Sequence, residues 1–262
     1  MPGFDDWIMV KNAILNDEQF KVPYRHQSYN NIYGNLGSDW TTLSPATPGT
    51  THVDDSNSLA IVIPATTPKR KFLLRWCAMS PSGSMVGIVY DRLASVSANF
   101  LGTGTKTINS LALPRYTTGW GVQVMIEQIV RDTGTSWTAN LSSYTNSDGS
   151  IGRVGPSVVG NTGQRDATMM SLQAGDMGVR SVETIDVTAS AGTASDVNIV
   201  LVRPLAAISF VRSVWRSTDF FAEVAAFPRI FDGATLAFMS YSLDTSDAGI
   251  TSNHGSLDFV YG

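Results

Sequence analysis

The feature that most limits the fold is a repeated change from short β-type runs to turn residues, with no long helical stretch between them. From Ser58 onward the runs are Leu59–Pro64, Lys71–Met79, Met85–Leu93, a weaker Thr103–Leu113, Gly121–Val130, Ser136–Tyr144, Arg165–Leu172, Gly178–Ser190, Asp196–Val202, Thr235–Leu243 and Ser256–Tyr261. β-Branched and aromatic residues at period two fit a pleated, half-buried surface. In Gly121–Val130, Val122, Val124, Ile126 and Val130 fall on one face, with Gln123, Glu127 and Arg131 on or near the other. Val197 to Val202 is apolar on both faces, which marks a central strand. Pro81-Ser82-Gly83 and Asn146-Ser147-Asp148-Gly149 read as turns, and Asp132-Thr133-Gly134-Thr135 as a hairpin turn into Ser136–Tyr144. No fixed period repeats, which argues against a propeller or solenoid. The expected fold is all-β, an antiparallel β-sandwich with the jelly roll among its forms, in one domain over residues 58–262.

Residues 1–57 read differently, as a helix or arm followed by extended loop. Trp7, Val10, Ile14 and Leu15 follow helical spacing behind an N-cap at Asp5 or Asp6. Val22 to Asn57 is rich in Tyr, Asn, Pro, Gly and Thr and reads as a long loop. Such a loop is uncommon unless it is functional or pinned elsewhere. A second short helix is expected over Ser217–Phe227, capped at Ser217 or Thr218 and stopped by Pro228.

Charge and cysteine usage narrow the function classes. Charged residues make up 15% of the chain, well below the usual share of about a quarter, while 43% are hydrophobic, enough for a sizeable core. Low charge with abundant Ser, Thr and Gly suits a surface covered by neighbours, or an ordinary Ser/Thr-rich β protein. Net charge is −4, and the densest basic cluster, Lys69-Arg70-Lys71, reads as a solvated strand edge, so nucleic acid is not an expected partner. The single cysteine, Cys77, excludes an intramolecular disulfide and is expected to be a buried, inert thiol. With only His26, His52 and His254 beside it, no Cys/His metal site is expected. The N-terminus carries no secretory signal pattern and no stretch is long enough to span a bilayer, so folding in a reducing cytoplasm without a membrane partner is expected.

Motifs for chemistry each have a structural explanation. Gly102-Thr103-Gly104-Thr105-Lys106-Thr107 lacks the spacing of a phosphate-binding loop. There is no Gly-x-Ser-x-Gly elbow, and His254 reads as an exposed turn residue. Asp91 and Arg92 are strand neighbours, so they point to opposite faces and each is expected to find its own backbone or cross-strand partner. Glu127, Glu183 and Asp186 lie within strands that sequence cannot bring together. Asn146–Ser150 and Asp244–Asp247 match no EF-hand loop. The expectation is a protein that is not an enzyme and uses no cofactor.

Several strings carry a resemblance. They are Tyr90-Asp91-Arg92-Leu93; Leu113-Pro114-Arg115-Tyr116-Thr117 with Gly119 and Gly121-Val122; Tyr144-Thr145-Asn146-Ser147-Asp148-Gly149 with Gly152-Arg153; Leu172-Gln173-Ala174-Gly175-Asp176 with Gly178-Val179-Arg180-Ser181-Val182; and Leu201-Val202-Arg203-Pro204-Leu205. In that order they resemble a group of virion structural proteins of tailed bacteriophages, over roughly Leu73 to Leu205. The resemblance implies a virion protein assembled in the host cytoplasm. Its expected role is a capsid decoration or cement protein that stabilises the shell, with a neck, tail or baseplate component, or a host-glycan or receptor-binding module, as the alternatives. The implied partners are the major capsid protein or other virion subunits, in a homo-oligomer such as a trimer. Trp7, Ile8, Phe20, Tyr24, Tyr29 and Trp40 are the candidate interface anchors, set against the bland alternative that they cover the open edge of their own sandwich. For a glycan platform the residues to watch are Trp120 and Trp137.

Overall fold

A computed structural model describes residues 19–28, 35–36, 51–52, 70–79, 84–108, 113–128, 136–160, 167–190, 196–211, 213–219, 228–242 and 251–261. These form strands, with no helix among the described residues. Strands are numbered in chain order. Seven lie in one sheet, in the order β10 (Ala167–Met169), β7 (Gln123–Gln128), β12 (Asp196–Phe210), β5 (Met85–Asn99), β15 (Leu236–Ser242) and β2 (Asn35–Leu36), with β3 (Thr51–His52) also on β5. A four-stranded sheet runs β6 (Gly104–Thr107), β11 (Val179–Ala189), β8 (Thr138–Asn146), β9 (Val158–Val159). A third sheet runs β1 (Gln19–Ser28), β16 (Thr251–Tyr261), β4 (Lys71–Met79), β13 (Arg216–Asp219), with β14 (Arg229–Ile230) on β4. The paired strands are antiparallel.

The seven- and four-stranded sheets pack face to face as a β-sandwich. Val122, Val124, Ile126, Val197, Ile199 and Leu201 from one side meet Ala139, Leu141, Tyr144, Val182, Ile185 and Val187 from the other. Each valine, isoleucine and leucine among them stabilises the fold by roughly 1.5–3 kcal/mol through burial. Trp137 is 1% exposed within this core. Its ring meets Phe100 edge-on at 5.2 Å, and its indole N–H donates to Gln128 at 3.2 Å. The opposite face of the seven-stranded sheet buries Tyr90, Met125, Val200, Val202, Ala237 and Met239. β12 therefore sits between β7 and β5 with both faces covered, as its continuous apolar run predicts.

Several local expectations change. Ser217 and Thr218 do not start a helix over 217–219, because Arg216–Asp219 pairs with Arg75–Ala78 of β4, and ladder bonding outweighs a weak local helix signal; residues 220–227 lie outside the described set. Val22–Ser28 is not loop: Gln19–Ser28 forms a full strand, in register with Thr251–Val260. The turn signal at 132–135 lies outside the described residues, but the hairpin expected around it does not form, since β7 and β8 belong to different sheets and bring Val124 and Ile126 into one core with Ala139 and Leu141. His254 is no turn residue but lies within β16, opposite Arg25 and Met79. Lys71 is not a solvated charge: it is 1% exposed and pairs with Asp232 at 2.7 Å. Cys77, expected to be buried, is only half-buried in β4 and forms no disulfide. The Thr105-Lys106-Thr107 string forms the exposed edge strand β6 against β11.

Candidate interaction surface

Three loops meet at one end of the four-stranded sheet: 113–122 ahead of β7, 147–157 after β8, and 171–178 ahead of β11. Each contains two or more glycines, because each must turn tightly. Asn146 starts the middle loop as an Asx turn, its side-chain oxygen accepting from the Asp148 and Ser150 amides at 3.1 and 2.9 Å. Gly149, at φ 88, takes the left-handed position that this turn requires.

Asp176 binds the loops together. Its carboxylate accepts from Asn146 Nδ2 at 2.8 Å, from Arg153 Nε and Nη2 at 3.1 and 3.0 Å, and from the Tyr144 hydroxyl. Burial works against its charge, but the hydrogen bonds from Arg153, Tyr144 and Asn146 outweigh that and hold its pKa down at about 2. Burial together with the bond to Asp176 pushes Tyr144 up to about 12. The Tyr144 oxygen in turn accepts from the Gln173 amide at 2.8 Å. Arg180 completes the clasp, donating to the Ser147 carbonyl at 2.6 and 3.0 Å and to the Thr118 carbonyl at 3.1 Å. Gly121 N donates to the Met177 carbonyl at 2.8 Å, and Trp120 bridges Gly178.

A second clasp anchors the first loop to the seven-stranded sheet. Asp91, 0% exposed, receives a two-pronged bond from Arg115 at 2.8 and 2.9 Å and the Thr235 amide at 3.0 Å. Its neighbour Arg92 turns to the other face and pairs with Glu127, two strands away. The opposite-facing reading of this pair is therefore correct. Tyr116, at φ 52, donates to the Arg229 carbonyl at 3.1 Å and meets Phe231 edge-on at 4.9 Å. Burial, reinforced by the Asp91 charge, moves its hydroxyl well above the usual tyrosine range.

These clasps leave large apolar side chains bare. Trp120 and Met177 are each 53% exposed, Val154 50% and Ile151 81%. Large apolar side chains exposed on loops that are clasped together suit an interaction surface. Glu127, Glu183 and Asp186 do not converge: Glu127 faces Arg92, Glu183 receives Thr145 at 3.2 Å, and Asp186 lies farther along β11. Among the described residues no three His, Cys, Asp or Glu side chains group as metal ligands.

Of the residues singled out beforehand, Trp120 is on this surface, whereas Trp137 is core and cannot contribute to a platform. Phe20 and Tyr24 sit in β1, at register positions opposite Phe259 and Gly255. Trp7, Ile8, Tyr29 and Trp40 lie outside the described residues, as do 59–64 and 244–247. Met177 and Ile151 were not anticipated. Their signal is one large apolar residue held between turn residues, in Gly119-Trp120-Gly121, Ser150-Ile151-Gly152 and Asp176-Met177-Gly178.

Gly119, at φ 72, lets the first loop close on β11: a Cβ there would stand 2.6 Å from the Val179 carbonyl oxygen. Gly119→Ala is expected to lower stability by about 2–3 kcal/mol, from left-handed strain plus a backbone clash, read as a shift of the urea midpoint.

No family model matches the chain. No curated protein matches it. Among solved structures, it is similar to the infectious bursal disease virus Gx strain structure at 10% identity and TM-score 0.21, covering 92% of this chain and 80% of that one. The crystal structure of the infectious bursal disease virus VP2 subviral particle aligns at 12% identity and TM-score 0.21, covering 91% of this chain and 60% of that one.

Proposed function

We propose that this chain is a non-enzymatic virion structural protein of a tailed bacteriophage, in its finer form a capsid decoration or cement protein. One observation carries the reading: the strings that resemble phage virion proteins fold into clasps, and the clasps serve a surface. Asp176, Arg153, Tyr144 and Asn146 spend their polar groups on one another, and Asp91 and Arg115 do the same. Buried polar networks of this kind specify geometry. What they present is apolar and exposed, suited to burial against a protein neighbour. Contacts of this kind stabilise an assembled shell by mass action, because they bind only the assembled state.

Purified chain added to particles lacking it is expected to co-sediment at a fixed copy number, on the head. A position at the neck, tail or baseplate would replace the decoration role by the alternative. Ile151→Ser combined with Met177→Ser is expected to weaken particle binding roughly tenfold or more, with an unchanged melting profile. Retained binding in that variant would remove the three-loop surface from the reading. Glycan binding by the free chain, lost in Trp120→Ala, would favour the receptor-binding alternative.

A further inference from the structure

Arg203 is a half-buried cation without a counter-ion. In the β12–β5 ladder it stands directly opposite Asp91, the carboxylate that would ordinarily pair with it. Asp91 is instead spent on Arg115 and the Thr235 amide. No Arg203 N–H donates to an acceptor among the described residues. Burial pulls the Arg203 pKa below the ordinary arginine range, yet a guanidinium keeps its charge at neutral pH. A charge taken partly out of water with no partner is costly, so its seat calls for a ligand.

The backbone makes room for this guanidinium. Gly121 sits at φ 68, and a Cβ there would stand 1.2 Å from Arg203 Nη1. The guanidinium carbon lies 5.7 Å from the centre of the Tyr116 ring. That ring is fixed by the left-handed backbone of Tyr116, by its bond to the Arg229 carbonyl and by Phe231 at 4.9 Å. Arg229 is exposed, and its guanidinium carbon lies 4.5 Å from the centre of the Phe231 ring. Its N–H groups also meet no acceptor among the described residues. Arg115 spends Nε and Nη2 on Asp91 and keeps Nη1 unbonded. The charges of Arg203, Arg115 and Arg229 all act on the Tyr116 hydroxyl. Two carboxylates lie nearby, and both are occupied: Asp91 by Arg115, and Asp232, next to Phe231, by Lys71. Arg203 and Arg229 thus remain as two unbalanced positive charges on one edge-to-face ring pair, in a chain of net charge −4.

We propose that Arg203, with Arg229 and the unbonded Nη1 of Arg115, binds a phosphate dianion, free or carried on a phosphate monoester, beside the Tyr116–Phe231 pair. The planar fork of a guanidinium matches two phosphate oxygens, and stacking on an aromatic ring leaves its N–H edge available for them. Two unbalanced positive charges suit a dianion better than a single carboxylate. This goes beyond the virion reading and does not rest on it.

The test is calorimetric titration of the full chain with inorganic phosphate at constant ionic strength in chloride, at about pH 8, where phosphate is a dianion. Saturable binding is expected with a Kd of about 1–10 mM, the strength of two or three charge-assisted bonds. Arg203→Gln is expected to weaken it at least roughly tenfold, and Arg203→Lys by about threefold to tenfold, because lysine keeps the charge and loses the fork. Arg229→Gln is expected to weaken it about threefold. The control Arg216→Gln, an exposed arginine of β13, is expected to bind as the wild type does. Circular dichroism and melting check folding; should Arg203→Gln not fold, Arg203→Lys and the phosphate-induced shift of the Arg203 guanidinium carbon resonance in the wild type decide. Glycerol phosphate binding more tightly than inorganic phosphate would assign the monoester, and weaker binding the free ion. Absence of saturable binding, an Arg203 variant that binds as the wild type, or an equal loss in Arg216→Gln would overturn the proposal. Acetate binding as tightly as phosphate would also overturn it, since the site would then take a single carboxylate.

Discussion

Glu127→Ala is expected to destabilise the protein by about 3–5 kcal/mol, among the largest effects of any single change in the described residues. Glu127 is 4% exposed and Arg92 1% exposed, and they face each other across β12 on the second face of the central sheet. Asn198 also reaches the Glu127 carboxylate at 3.5 Å, and Ser97 donates to Asn198 at 2.9 Å. Alanine removes the Glu127 carboxylate from the buried Arg92 guanidinium, so less of the cost of desolvating that charge is offset. The double change Arg92→Met with Glu127→Leu removes both charges at similar volume and is expected to recover most or all of the loss. Urea denaturation of wild type, both single variants and the double variant checks this. A double variant no better than Glu127→Ala would mean that the cost lies in packing and not in the unbalanced charge. An activity assay would not show the difference, since the pair is sealed from solvent.

Asp176→Ala is expected to cost about 2–4 kcal/mol at neutral pH, because it cuts charge-assisted bonds from Arg153 together with those from Tyr144 and Asn146. The loss is pH-dependent. Asp176 has its folded pKa lowered to about 2, below an unfolded value of about 3.9. Its ionised form therefore contributes stability that is fully present above about pH 4 and disappears as the pH falls through 2. Wild type and variant should converge in stability near pH 2. Tyr144 acts in the opposite direction: with its pKa raised to about 12, its neutral form contributes stability present below about pH 10 and lost as the pH rises through 12. Denaturation midpoints across the pH range would show both limbs. A gap between wild type and Asp176→Ala that stays constant down to pH 2 would show that the carboxylate charge is not what holds the loops. The same variant should free Met177 and Ile151 from a fixed arrangement and weaken any contact made through them.

The sequence alone determined the strand-rich class, the central position of Val197–Val202, the turn at Asn146–Gly149 and the opposite facing of Asp91 and Arg92. Each depends on a local rule: period-two side-chain alternation, a continuous apolar run, or an Asx turn closed by glycine. Tertiary structure decided everything that depends on which strand lies beside which. The 132–135 turn looks like a hairpin until β7 and β8 are seen in different sheets, because a turn signal records a change of direction but not the partner. Ser217–Asp219 pairs with β4 because an open ladder edge offers backbone hydrogen bonds that a short helix must find within itself. Lys71 is buried because Asp232, distant in sequence, supplies its counter-charge. The surface itself was hidden for the same reason. Trp120, Ile151 and Met177 are isolated apolar residues in three loops, and only the bonds of Asp176, Arg153 and Arg180 bring those loops together. Local periodicity encodes which side of its own strand a residue occupies, whereas a shared surface depends on contacts between segments far apart in the chain.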